Sequence, residues 1–96
     1  MWIESISVRT ARPKHCAILQ EELGALCPQR QPPRMRWIAC YQNLDVENEL
    51  SIHLGWEEND QPPQKSDFGL RIARYLNQHG LVHHTLWKLA RYFPQG

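Results

Sequence analysis

The segment Glu49-Leu50-Ser51-Ile52-His53-Leu54-Gly55-Trp56-Glu57 decides the fold. Leu50, Ile52, Leu54 and Trp56 recur at every second position, opposite Ser51, His53 and Gly55. Side chains of an extended chain alternate between two faces, so this period predicts a strand. Gly80-Leu81-Val82-His83-His84-Thr85-Leu86-Trp87 reads as another strand. Each places a His near its middle and a Trp at its far end.

Between them, residues 58–65 carry Asn59, Asp60, Pro62 and Pro63 and form a loop. Ser66 is a suitable N-cap and Asp67 adds negative charge to the first turn of a helix predicted over 67–79. Phe68, Ile72, Tyr75 and Leu76 cover one side of that helix, with Leu70 and Ala73 beside them. Gly80 is expected as its C′ stop, with φ > 0, and Leu81 is expected to pack back on Leu76. On the N-terminal side, Asn43-Leu44-Asp45-Val46-Glu47-Asn48 is too short for a helix and closes a hairpin from a strand over 35–42.

The first third repeats the pattern. Residues 2–10 alternate, with Ile6 and Val8 opposite Ser5, Ser7 and Arg9. Thr10 is placed to cap a helix over 13–26, whose stripe is Cys16, Leu19, Leu23 and Leu26. Gly24 suggests close packing on the sheet, and Pro28 ends the helix.

The order is therefore β-α-β-β-α-β, and the 96 residues make one domain spanning 1–96. Right-handed crossovers put the first and third strands in the centre. The expected class is α+β: a ferredoxin-like, four-stranded antiparallel sheet with two helices on one face. Trp2, Trp37, Tyr41, Trp56 and Trp87 occupy the strands on both parities. A sheet apolar on both sides needs a second cover, and a second copy of the chain is expected to supply it, giving a homodimer.

The formal net charge of +1 provides no field favouring nucleic acid or an anionic membrane. Arg30, Arg34 and Arg36 flank prolines and read as a solvated loop. Cys16, Cys27 and Cys40 form no C-x-x-C pair, so neither a disulfide framework nor a structural zinc is expected, and a reducing cytoplasm fits. No apolar run approaches the ~20 residues of a membrane span. No helix carries paired His ligands, so no metal is expected. There is no nucleophile elbow and no Gly-rich phosphate loop.

The element order, the start Met1 to Thr10 leading into Ala11-Arg12-Pro13, the Trp56-Glu57 pair ending the third strand, and the Gly80–Trp87 strand resemble the antibiotic-biosynthesis-monooxygenase-like domains of the dimeric α/β-barrel superfamily. The resemblance covers nearly the whole chain. It implies a dimer and, among its activities, cofactor-free oxygenation of aromatic or quinol substrates. Relatives often carry Glu where Leu54 stands here, and His in the run that is Pro62 to Arg74 here.

The candidate catalytic bases are His53 and His84, because neutral imidazole accepts protons near neutral pH. Each has an alternative reading as a hydrogen-bonded structural residue. Trp56 and Trp87 are candidate substrate walls, and Ser5 and Ser7 candidate donors to a substrate oxygen. Trp56 also reads as a packing residue, and the serines as cross-strand pairs. Two functions are thus compatible with the sequence: a cofactor-independent monooxygenase of a small quinol- or phenol-like aromatic, or a non-catalytic homodimeric module that binds a small apolar ligand or only itself. If there is a ligand, it is expected between sheet and helices, beside Trp56 and within reach of His53 or His84.

Overall fold

A computed structural model of the chain describes residues 1–26 and 32–96, without the Leu26 side chain. The elements are β1 (Trp2–Thr10), α1 (Pro13–Leu26), β2 (Met35–Gln42), β3 (Glu49–Trp56), α2 (Asp67–Leu76) and β4 (Gly80–Lys88). They build one antiparallel sheet in the order β2-β3-β1-β4. β1 and β3 are central, as the crossover argument requires. The expectations for the Leu26 side chain, Cys27, Pro28 and Arg30 lie outside the described residues.

The period-two patterns divide the sheet into two faces. Ile6 and Val8 of β1 and Leu50, Ile52 and Leu54 of β3 lie toward the helices and are at most 2 % exposed. Cys16, Leu19 and Leu23 of α1 and Phe68, Ile72 and Leu76 of α2 complete this core. Each buried Leu, Ile or Phe stabilises by roughly 1.5–3 kcal/mol relative to leaving it exposed. The other face carries Ser5, Ser7, Ser51, His53, Thr85 and Trp87. It also carries Trp37, which a bulge between Met35 and Trp37 brings opposite Gly55. The ring lies where a Gly55 Cβ would be, 2.3 Å from Trp37 Nε1, so only glycine leaves room for it.

Five local expectations change. α2 ends at Leu76, and His79 N–H bonds Leu76 O at 2.8 Å in a tight final turn. Gly80 has no positive φ. It opens β4 opposite Thr10, where a Cβ would stand 2.1 Å from Arg9 O. Close strand approach, not a left-handed turn, demands the glycine, and Leu81 is left 72 % exposed rather than packed on Leu76. Thr10 Oγ1 donates to Arg12 O at 2.8 Å, and Thr10 N–H bonds Asn48 O at 2.8 Å. Thr10 therefore fastens the β2–β3 connection instead of capping α1. Gly24 is exposed with nothing within 4 Å of its would-be Cβ, so it borders open space rather than the sheet.

Candidate functional site

Glu4 is the polar centre of the core. It lies on the same face of β1 as Ile6 and Val8 and is fully buried. Four donors meet its carboxylate. Trp56 Nε1–H bonds Oε1 at 3.0 Å and Ser66 Oγ–H bonds Oε1 at 2.7 Å. Ser66 N–H bonds Oε2 at 3.1 Å, and His84 Nε2 lies 2.6 Å from Oε2.

The surroundings explain why a carboxylate is held there. Ser66 caps α2, its Oγ accepting from Gly69 N at 2.8 Å. That acceptance leaves the hydroxyl hydrogen for Glu4. The start of α2 thus presents backbone and side-chain donors, reinforced by the helix dipole, to a negative group. Gly69 lets Glu4 come close: a Cβ there would stand 2.0 Å from Oε2. Since indole, amide and capping hydroxyl all donate, the carboxylate accepts throughout, and His84 Nε2 is the protonated nitrogen. When the ring is neutral, its Nδ1 carries a lone pair. The His84 side chain is only 7 % exposed, so this pair is sheltered from water.

The sequence-selected residues fall into two groups. Trp56 and His84 share Glu4 on the helix side of the sheet. Ser5, Ser7, His53 and Trp87 lie on the other face. There Ser5 Oγ is 3.2 Å from Ser51 Oγ, and His53 Nε2 is 2.9 Å from the same hydroxyl. The His53 ring centroid lies 4.7 Å from that of Tyr41, and burial pushes the His53 pKa below 6.5. Trp87 is 61 % exposed and donates its indole N–H to Thr85 Oγ1 at 2.9 Å. Ser7 stands opposite Ser51 and His83 in the ladder. Sequence reasoning missed Glu4 as the centre. Its signal was phase: an acid at the parity of Trp2, Ile6 and Val8 must enter the core.

A cavity of about 180 Å³ lies between the sheet and both helices. Leu23, Ile38, Ile52, Phe68 and Ile72 form its apolar wall, Gln20 and Cys40 add polar atoms, and Gly24 leaves it open. Its size suits one aromatic ring. It sits in the expected layer, but neither Trp56, His53 nor His84 lines it. Trp56 instead stacks on Trp2, with ring centroids 5.8 Å apart, at the opening of a second groove. Among the described residues there is no cluster of three His, Cys, Asp or Glu able to hold a metal. No described helix is long and apolar enough to cross a membrane.

No protein-family model and no curated protein matches the chain. Solved structures do. A crystal structure of an antibiotic biosynthesis monooxygenase superposes with a TM-score of 0.63 at 13 % identity, covering 95 % of this chain and all of that one. A variant of SnoaB, a cofactor-independent oxygenase from Streptomyces nogalater, superposes with a TM-score of 0.59 at 14 % identity, covering 98 % of each chain. Rv0793 from Mycobacterium tuberculosis gives 0.59 at 20 % identity, with both chains fully covered. At such identities the likeness is one of fold. In element order, strand order and superposition, the chain has the ferredoxin-like fold of the antibiotic-biosynthesis-monooxygenase-like structures.

Proposed function

We propose that the chain is a cofactor-independent monooxygenase of a small electron-rich aromatic, a quinol or phenol. The observation that carries this reading is the sheltered His84–Glu4 pair at 2.6 Å. Glu4 fixes the imidazole tautomer, and Nδ1 takes the proton of a substrate C–H or O–H. The substrate anion then passes its electrons to dioxygen. One oxygen atom enters the product and the other leaves as water, so an activated CH₂ becomes a carbonyl without an added reductant. The family resemblance supports the reading through register as well. The Glu expected at Leu54 is absent, yet Glu4 is Leu54's partner in the β1–β3 ladder. A carboxylate therefore reaches Trp56 from the neighbouring strand.

The test is oxygen consumption with anthrones and quinols, without added cofactor or metal. Wild type should consume one O₂ per substrate, and His84→Ala should slow it at least ~100-fold, the low end for a lost general base. No uptake by wild type, or full activity in His84→Ala, overturns the assignment.

One observation favours the second reading, a ligand-binding module without chemistry: the cavity of about 180 Å³ has an apolar wall that neither His53 nor His84 reaches. Saturable binding of anthrones without turnover would establish it. Under both readings we infer a homodimer through the sheet face away from the helices. Tyr41 and Trp87 stand 53 % and 61 % exposed on that face, and a second sheet would bury them. Sedimentation at micromolar concentration should give twice the chain mass; a monomer would refute this arrangement.

A further inference from the structure

We propose that the groove floored by the stacked Trp2 and Trp56 and edged by Arg34 binds a small aromatic carboxylate. This site is separate from the cavity between the helices and does not depend on the oxygenase reading.

Arg34 is a backbone outlier. Pro32, Pro33, Arg34 and Met35 form a β-turn closed by Met35 N–H to Pro32 O at 3.1 Å. Pro33 is preset for its second position, and Arg34 occupies the third with φ 72°. That combination defines a type II turn, whose third position belongs to glycine. Arg34 is the one non-glycine residue with positive φ among the described residues. Strain of this kind persists where the residue has a use, and here Arg34 lines a groove. The turn itself is fixed by Glu57 N–H to Arg34 O at 2.8 Å, so the arginine is presented from a rigid base.

The groove has the parts an aromatic acid needs. Its volume is about 160 Å³, the size that holds one benzene ring. Trp2 and Trp56 stack at 5.8 Å with planes 21° apart, giving a flat aromatic wall. The Trp56 indole N–H is committed to Glu4, so Trp56 offers π surface rather than a donor. Asn59, Gln61 and Gln64 add amides along the rim, and Pro62 and Pro63 stiffen it.

The charges select an anion. Arg36 holds Glu57 at 3.0 Å, and the N-terminal ammonium holds Glu58 at 3.1 Å. The acid left without a salt bridge among the described residues here is Asp60, which lines adjoining space with Arg34. Lys88 lines the groove's continuation together with Glu58 and Asp60, so among the described residues Arg34 is the cation left to meet an anion in the groove itself, whose own acid, Glu57, is paired with Arg36. A guanidinium offers paired N–H donors to a carboxylate, while Trp stacks on the attached ring.

The experiment follows the Trp2 indole N–H by NMR during titration with benzoate and, separately, with benzyl alcohol. Wild type should bind benzoate saturably and at least 5-fold tighter than the alcohol. Arg34→Gly relieves the turn, so its melting temperature should not fall, while its benzoate affinity should drop at least 5-fold. Arg34→Lys should retain part of the preference. Equal binding of acid and alcohol, no saturable binding of either up to millimolar concentration, wild-type benzoate affinity in Arg34→Gly, or a lower melting temperature in that variant would each overturn the proposal.

Discussion

Replacing Glu4 by Gln tests the polar centre with almost no change of shape. Each carboxylate oxygen receives two donors: Trp56 N–H and Ser66 O–H at Oε1, Ser66 N–H and His84 at Oε2. The amide must put its NH₂ in one of these places. At Oε1 it faces the Trp56 N–H, which can only donate. At Oε2 it faces the Ser66 N–H, which likewise cannot accept. The Ser66 hydroxyl and His84 can adapt, by rotation and by tautomer exchange, but one N–H donor is stranded in either orientation. A buried unsatisfied donor costs about 1–3 kcal/mol, and bonds to a neutral amide are weaker than to a carboxylate.

The expected loss is therefore about 2–3 kcal/mol, or roughly 8–24 °C in melting temperature for a domain of this size. Urea unfolding at fixed chain concentration measures it, because an associating protein's apparent stability varies with concentration. A loss below about 0.5 kcal/mol would mean that the four donors do not depend on the carboxylate, and the account of this centre would fail.

Gly69→Ala should destabilise although alanine is the better helix former. The new Cβ would stand 2.0 Å from Glu4 Oε2 and 2.6 Å from Cδ, so Glu4 must leave its donors. A loss of at least ~2 kcal/mol is expected where propensity alone predicts a gain of up to ~1, and any gain in urea unfolding refutes the contact. His53 sets a pH dependence. Burial lowers its folded pKa below 6.5, so the unfolded chain binds its proton more readily. Its contribution is complete above the unfolded value and is lost as pH falls through the lowered one. Melting temperatures at about pH 7.5 and about pH 5 should differ less in His53→Gln than in wild type; an unchanged difference contradicts the burial effect.

What the sequence revealed, and what it hid, follows from the range of the interactions. The faces of β1 and β3 were legible because alternation is a property of the extended backbone itself. Ser66 was legible as a cap because capping spans three residues, from its hydroxyl to Gly69 N–H. Gly80 was misread because glycine serves two needs with one residue type: positive φ at a helix end, or close approach to a neighbouring backbone. Only the pairing with Thr10 shows that the second applies. The bulge before Trp37 was equally silent, since an extra residue such as Arg36 leaves no mark on local composition.

The same limit explains Glu4. Its phase in β1, a signal passed over in the sequence, puts an acid on the core side but does not say which groups would satisfy it. Its donors stand 52, 62 and 80 residues away, at Trp56, Ser66 and His84. No local pattern joins these positions. The sheet does so by setting β3 and β4 on either side of β1, with Glu4 opposite Leu54 on one side and Leu86 on the other. Trp56 and His84 then flank the carboxylate from two positions along on each strand, which places them on its face. α2 adds the remaining donors because Gly69 lets its first turn lie directly on the acid. The centre is thus a product of strand register and one small residue. A shift of either neighbouring strand by a single position would turn Trp56 or His84 to the opposite face and leave a buried carboxylate short of a donor.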